Sequence, residues 1–223
     1  MIRFGVIATA FLTALVLAAS ATAQGQPAPT VQSEAKEGAT VPLDELLKPG
    51  PIRENVMGAA DAPVTIVEYA SMTCPHCATF HLKTLPAVKK EFIDTGKVKL
   101  VFRDFPFDGV AMAATMLSRC AASEKFFSIT DMLFQRQEKW AFGQNPEAEL
   151  TAIGKELGFD AKGFDACLQD QTVFEGILAV RKKAFEVFKV DSTPTLFING
   201  EHYRGVLSPV EIAIHINRHL DKK

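Results

Sequence analysis

The chain has 223 residues, of which 48% are hydrophobic, and its 24 basic and 26 acidic residues give a net charge of −2. A chain of this length can bury one substantial core, and the lack of a basic excess argues against a nucleic-acid-binding protein. The four cysteines are too few for a disulfide scaffold, but their even number allows two pairs in an oxidising compartment.

Residues 1–23 have the composition of a cleaved secretory signal peptide. Arg3 precedes an apolar run from Phe4 to Ala19, and the small residues Ala21-Thr22-Ala23 follow it, which is the order of regions in such signals. An uncleaved membrane anchor is the alternative, but the run is short for the roughly 20 residues that span a bilayer. We therefore expect a soluble exported protein that begins near Gln24.

Residues 24–57 are predicted to be a flexible lead-in. The stretch from Gln24 to Thr40 has almost no large apolar side chain, so it buries too little surface to fold alone. A short helical turn is expected after Val41, with Pro49 ending it. A short edge strand is expected over residues 52–57.

The sequence from Val64 to Tyr69 predicts a buried strand that leads to two cysteines. Its β-branched and aromatic residues are typical of a strand covered on both faces, and Pro75 suits the first position of a helix. Cys74 and Cys77 would then lie at a helix N-terminus, where unpaired N–H groups and the helix dipole favour negative charge. The pattern predicts a reactive thiolate and redox chemistry.

The residues that follow predict a β-α-β unit. The helix after Cys77 is expected to be kinked at Pro86 and to end at Gly96. Val98 to Phe102 has the composition of a second short strand. A strand, a crossing helix and a second strand make the two strands parallel.

The second half of the chain predicts a helical block followed by a β-β-α unit. Apolar residues recur near the helical period from about residue 109 to 189, which indicates four or five helices. Asn199-Gly200 between two β-like runs is a strong hairpin signal. Ser208 and Glu211 form a capping-box pattern that predicts a final helix.

Three stretches of this chain resemble a known family. They are Asp61-Ala-Pro-Val-Thr-Ile-Val-Glu68 leading to Cys74-Pro-His-Cys77, then Arg103-Asp-Phe-Pro106, and Thr193-Pro194-Thr-Leu-Phe-Ile-Asn-Gly200. With the order of predicted elements, they resemble the DsbA family of periplasmic thiol-disulfide oxidoreductases from about Gly58 to the C-terminus.

The resemblance implies an α/β protein with a thioredoxin-like fold. Residues 58–108 would form the first, β-α-β half of that fold, and residues 190–223 the second, β-β-α half. An all-helical domain over residues 109–189 would be inserted between the halves.

The resemblance also implies a role for each residue of the cysteine site. Cys74 would be the exposed nucleophile, Cys77 the resolving thiol, and His76 a donor or positive charge that stabilises the Cys74 thiolate. Glu68 would be a buried acid that serves proton transfer at Cys77, because an acid in an apolar run is costly without a partner. A surface position on a strand edge is the alternative for Glu68.

The resemblance implies roles for two further pairs of residues. Pro194 would be a cis-proline beside the cysteine pair, with the Thr193 backbone pairing with an extended substrate peptide; an ordinary turn proline is the alternative. Cys120 and Cys167 would form a structural disulfide in the helical domain, with two buried free thiols as the alternative.

Four other histidines are interpreted as surface or capping residues outside the site: His81, His202, His215 and His219.

The implied function is a periplasmic oxidase that donates the Cys74–Cys77 disulfide to reduced, unfolded exported proteins during oxidative folding. No cofactor, metal or nucleic acid is implied, the chain is expected to be a monomer, and a DsbB-type membrane oxidase would reoxidise it. An isomerase or reductase on the same fold is the first alternative. The second is a copper or zinc carrier that uses Cys74, Cys77 and His81, because soft thiolates suit these metals.

Overall fold

The structure is a computed structural model, and it describes residues 36–222. The predicted signal peptide, residues 1–23, lies outside the described residues, as does the beginning of the predicted lead-in. Across the described range, no helix has the length and apolar character that crossing a membrane requires.

The described strands form one mixed sheet in the spatial order β1-β6-β5-β3-β4-β2. β3 and β4 are parallel, and every other neighbouring pair is antiparallel. The parallel pair confirms the predicted β-α-β unit. The strands are β1 (Lys36–Glu37), β2 (Asn55–Met57), β3 (Val64–Ala70), β4 (Val98–Asp104), β5 (Thr195–Ile198) and β6 (Glu201–Arg204).

Helices account for most of the remaining described residues. Six of them, α4 to α9, lie between β4 and β5, which confirms the predicted helical insertion with more helices than the four or five expected. The helices are α1 (Leu43–Leu46), α2 (Pro75–Thr79), α3 (Leu85–Val88), α4 (Gly109–Cys120), α5 (Phe126–Gln135), α6 (Gln137–Trp140), α7 (Pro146–Glu156), α8 (Ala161–Leu168), α9 (Gln171–Glu186) and α10 (Pro209–Leu220).

The helix that follows the cysteines contains two wider turns rather than a simple kink. α2 runs into a π-helical turn, Phe80–Thr84, and α3 runs into a second one, Lys89–Ile93. Pro86 explains the first of these turns, because a proline ring clashes with the carbonyl four residues earlier and offers no N–H to it. That carbonyl belongs to Leu82, which lies within the π-helical turn.

The prediction of a flexible lead-in over residues 24–57 is wrong for its described part, residues 36–57, although the short helix and the edge strand expected within it form as α1 and β2. β1 pairs with β6 at one edge of the sheet, and β2 pairs with β4 at the other edge. α1 between them buries Leu46 completely. The polar composition misled the prediction, because edge pairing uses backbone hydrogen bonds and needs few apolar side chains.

The hairpin and the last helix form as predicted. Asn199 and Gly200 both have positive φ, 46° and 92°, which is the conformation that a two-residue turn between twisted strands requires. Ser208 and Glu211 exchange the two hydrogen bonds of a capping box at the start of α10. The Asn199-Gly200 turn sets where the chain reverses after β5, and the capping box sets where α10 begins.

The core lies on both faces of the central strand. All seven residues of β3 are buried. Val64 and Ile66 lie in a cluster with residues of α3 and α10, whereas Val67 and Tyr69 lie in one with residues of α9. A third cluster fills the helical insertion around Trp140 and reaches Cys77. β3 therefore ends between two packed layers, with the cysteine pair at its exit.

Candidate active site

The cysteine pair lies at the N-terminus of α2, as predicted. Cys74 is the N-cap residue and Pro75 is the first residue of the helix. The Cys74 side chain is half-buried, whereas Cys77 is fully buried. Because the pair follows directly from β3, the central strand holds both sulfur atoms at one end of the sheet.

The two thiols differ strongly in acidity. The side-chain hydrogen bond with Cys77 lowers the pKa of Cys74 to about 5; Thr193 and the backbone N–H groups of Cys77 and His76 contribute further, while burial opposes them. Burial raises the pKa of Cys77 well above its usual value, and the neighbouring Cys74 and Glu68 raise it further. At neutral pH the site therefore holds one thiolate and one thiol.

The Thr193–Pro194 segment faces the exposed sulfur. The Thr193–Pro194 peptide bond is cis, and the Cys74 sulfur lies 3.2 Å from the Thr193 carbonyl oxygen. The antiparallel pairing of β5 with β3, in which Thr195 is opposite Tyr69, brings the segment there. Two stretches 119 residues apart in sequence are thus joined into one site.

Glu68 lies beneath the pair, in the interior strand β3. Its side chain has no solvent exposure, so the alternative of a surface position on a strand edge is wrong. His81 Nε2 lies 3.0 Å from Glu68 Oε2. The other carboxylate oxygen, Oε1, has no hydrogen-bond partner within the described residues.

His81 corrects the interpretation of the histidines. We expected His81 and His202 to be surface or capping residues, but both are buried, with 3% and 4% exposure. His81 follows Cys77 by four residues, one helical turn further on the same face. That spacing was the available signal, and interpreting each histidine singly missed it.

His76 contributes in a different way from the one predicted. Its side chain is exposed, and its backbone N–H is among the groups that lower the pKa of Cys74. A contribution of the imidazole ring to the thiolate stays a prediction. The backbone contribution follows from the position of His76 in the first turn of α2, where N–H groups are not used within the helix.

Two side chains that the sequence did not single out support the cysteine loop, one from α6 and one from the residue that precedes α4. Gln137 Nε2 donates to the carbonyl oxygens of Met72 and Cys74, at 2.7 and 3.0 Å. The Thr73 hydroxyl donates to Asp108 Oδ2 at 2.9 Å, and Asp108 also caps the start of α4. Nothing in the sequence distinguishes Gln137 from a surface glutamine, because its partners are backbone atoms 63 and 65 residues away.

The second cysteine pair lies away from this site. Cys120, the last residue of α4, and Cys167, near the end of α8, form a disulfide with their Cα atoms 5.9 Å apart. The alternative of two free thiols is therefore wrong. The bond ties together two helices of the insertion.

The donor set that a metal carrier would need is not assembled here. Among the described residues, no group of three or more His, Cys, Asp or Glu side chains is arranged to hold a metal ion. His81, the third ligand of that alternative, directs Nε2 at Glu68 and has Nδ1 3.7 Å from Asp131. His81 is thus not placed as a third ligand of the cysteine pair.

A dithiol pair at the tip of the helix in a β-α-β unit, opposite a cis-proline, is the arrangement of thioredoxin-fold proteins. A family model described as Thioredoxin matches residues 52–218. The chain belongs to this family and, with helices inserted between the halves of the fold, to its DsbA members.

Relatives and solved structures agree with this assignment. A putative protein-disulfide oxidoreductase from Rickettsia typhi is 34% identical over 146 residues, 65% of this chain and 54% of its own. The chain thus spans about half the length of that relative. A probable disulfide bond formation protein D from Bacillus cereus is 32% identical over 150 residues, 65% of this chain and 69% of its own. Crystalline alpha-DsbA1 from Wolbachia pipientis is 28% identical, with a TM-score of 0.73 over 80% of this chain and 96% of its own.

Proposed function

We propose that the protein is a periplasmic thiol oxidase that donates the Cys74–Cys77 disulfide to reduced, unfolded exported proteins. The observation that carries the proposal is the opposed acidity of the two thiols, with Cys74 at a pKa of about 5 and Cys77 raised. A thiolate that is stabilised in the reduced protein makes the oxidised protein a strong oxidant, because reduction then produces the more stable of the two forms.

The reaction transfers two electrons in two exchanges. A substrate thiolate attacks the Cys74 sulfur of the disulfide, the Cys74–Cys77 bond breaks, and Cys77 leaves as a thiolate that takes up a proton. A second substrate thiolate then attacks the substrate sulfur of the mixed disulfide, and Cys74 leaves as its stable thiolate. The substrate gains one disulfide and the protein is left reduced.

The surroundings of the pair suit these two steps. The raised pKa of Cys77 favours its protonation after the first exchange, which slows the reverse attack on the mixed disulfide. Buried Glu68 is proposed to exchange the proton with Cys77. Thr193, beside the Cys74 sulfur, is proposed to pair through its backbone with an extended substrate peptide, next to Pro194.

The remaining parts of the proposal concern the cell. The signal peptide at residues 1–23 would export the chain as a monomer to the periplasm, where a DsbB-type membrane oxidase would reoxidise it. Sequencing the N-terminus of the exported protein tests the first point, with a start near Gln24 as the expected result. A protein retained in the cytoplasm with Met1 intact would remove the periplasmic assignment.

Glutathione redox titration, combined with titration of the 240 nm thiolate absorbance, tests the activity. We expect a potential near the oxidising end of the family, about −120 mV, rather than near the roughly −270 mV of thioredoxin. The thiolate absorbance should titrate with a midpoint near pH 5. A potential near that of thioredoxin with an unshifted thiol would favour the reductase alternative and contradict the proposal.

A further inference from the structure

Three ionisable side chains lead from the buried thiol region to the surface. Glu68 and His81 have no side-chain exposure and lie 3.0 Å apart through Oε2 and Nε2. The opposite ring nitrogen of His81, Nδ1, lies 3.7 Å from Asp131 Oδ1, and the Asp131 side chain is 47% exposed. β3, the π-helical turn and α5 each supply one member of this row.

The row is enclosed by apolar rings. The centroids of three phenylalanine rings lie near that of the His81 ring, at 5.7, 5.6 and 4.6 Å for Phe80, Phe102 and Phe134 respectively. These rings fill the space around the imidazole with groups that neither donate nor accept protons. The polar contacts of His81 are therefore directed along the row.

The charges that face His81 come from two elements. Glu68 faces it from β3 and Asp131 from α5, whereas β4 presents the ring of Phe102. Burial lowers the pKa of His81, but Glu68 and Asp131 outweigh that effect and raise it to about 9. The imidazole is thus held as a cation between two carboxylates near neutral pH.

The hydrogen bonding within the row is incomplete. Within the described residues, Glu68 Oε1 and His81 Nδ1 are buried without a hydrogen-bond partner. A pair that serves packing alone would be expected to satisfy such atoms, because leaving them open costs free energy. The 3.7 Å gap between His81 Nδ1 and Asp131 Oδ1 is short enough that a small movement of the exposed aspartate or a bridging water would close it.

We propose that this row exchanges protons between the Cys77 site and solvent: Glu68 exchanges a proton with Cys77, and His81 exchanges one with water through Asp131. The proposal rests on the proposed function in so far as that function assigns proton exchange with Cys77 to Glu68. It adds the residues through which a proton reaches water. His81 touches neither substrate nor sulfur in this scheme, so it acts as a positioning and relay residue.

The proton balance closes for the step in which Cys77 becomes a nucleophile. The Cys77 thiol gives its proton to the Glu68 carboxylate, and the His81 cation, whose Nε2 already carries a proton, releases its Nδ1 proton to Asp131, which loses it to water. Cys77 is then a thiolate, Glu68 is a neutral acid, and His81 is a neutral imidazole protonated at Nε2, so one proton has left the site. When Cys77 leaves as a thiolate during substrate oxidation, the same transfers run in reverse.

An aromatic disulfide reagent separates the reactions of the two thiols. When 5,5′-dithiobis(2-nitrobenzoate) is added to the reduced protein, attack by Cys74 releases one coloured thiolate at a rate that depends on reagent concentration. Attack by Cys77 on the resulting mixed disulfide releases a second one, in a first-order phase. Both are followed at 412 nm by stopped flow, over a range of pH.

The variants are Asp131→Asn and His81→Gln, with Asp165→Asn as the matched control. Asp165 is exposed on α8, so its substitution makes the same charge change outside the row. At neutral pH we expect the second phase to slow by about threefold in Asp131→Asn and about tenfold in His81→Gln. These losses are below the roughly 100-fold of a lost general base, because water substitutes in part.

The pH profile distinguishes a relay from a structural role. A lost relay slows the second phase near neutral pH but leaves the rate unchanged above about pH 10, where hydroxide takes the Cys77 proton directly. A displaced Cys77 would slow it at every pH. The proposal is overturned if Asp131→Asn behaves as Asp165→Asn does, or if its slowing is independent of pH. Asp131→Asn tests the proposal even if His81→Gln fails to fold. Because the assay uses no protein substrate, its result does not depend on whether the protein oxidises substrate proteins.

Discussion

The two cysteine pairs of this protein occupy opposite ends of helices. Cys74 caps the N-terminus of α2, with its partner Cys77 in the first turn. Cys120 is the last residue of α4, and Cys167 is the last but one of α8. The N-terminus of a helix favours a thiolate, whereas the C-terminus, with its unpaired carbonyl groups, disfavours one.

Their separations in sequence differ as much as their surroundings. Cys74 and Cys77 lie within one helical turn, so a bond between them restricts the unfolded chain very little. Cys120 and Cys167 are 47 residues apart, and a bond across such a segment removes much of its freedom. One pair is thus arranged for exchange and the other for stability.

The largest expected effect is on activity, from Cys74→Ser. This change removes the sulfur that a substrate thiolate attacks, so oxidation of a reduced substrate should fall to the uncatalysed background. The free energy of unfolding should stay within about 1 kcal/mol of the parent value, as for most substitutions that leave the core intact. Substrate oxidation and urea unfolding measure the two quantities. Residual catalysis by Cys74→Ser would show that another thiol reacts.

The largest expected effect on stability comes from replacing both Cys120 and Cys167 by serine. The chain-entropy estimate for a segment of this length is a loss of about 4 kcal/mol in the free energy of unfolding, measured by urea unfolding. The thiolate absorbance of Cys74 should keep its midpoint near pH 5, because the second pair does not contribute to it. A shift of that midpoint by a full unit would show that the two pairs are coupled.

Local signals in the sequence predicted the fold well. The strand before Cys74, the Asn199-Gly200 turn and the capping box at Ser208 each depend on residues close together in the chain, and each formed as expected. The short edge strand expected over residues 52–57 formed as β2, whereas β1 was missed, because pairing at an edge depends on the backbone of a distant strand.

The site was predicted in part, for the same reason. The cysteine motif carries its own local signal, and the resemblance supplied Glu68, Thr193 and Pro194. Gln137 was missed because only the tertiary structure brings it near its partner, the Met72 carbonyl oxygen, at 2.7 Å. His81 did have a local signal, its position four residues after Cys77, but its 3.0 Å distance to Glu68 is one that sequence patterns do not encode.

The smallest expected effect is on the pKa of Cys74, and it comes from Thr193→Val. Thr193 contributes to the low pKa of Cys74, and its buried hydroxyl has no hydrogen-bond partner within the described residues, so it can donate to a thiolate at Cys74. Valine keeps the shape and the backbone carbonyl but cannot donate to the thiolate. We expect the pKa of Cys74 to rise from about 5 by roughly one unit.

A rise of that size has a defined redox consequence. A less stable thiolate makes the reduced protein less favourable, so the potential should become less oxidising by about 30 mV. Thr193→Ser is the matched variant, because it keeps the hydroxyl and should restore both the thiolate midpoint and the potential. If valine and serine gave the same midpoint, the hydroxyl would have no part in the acidity of Cys74. The hydrogen bond from Cys77 and the N–H groups of α2 would then account for it.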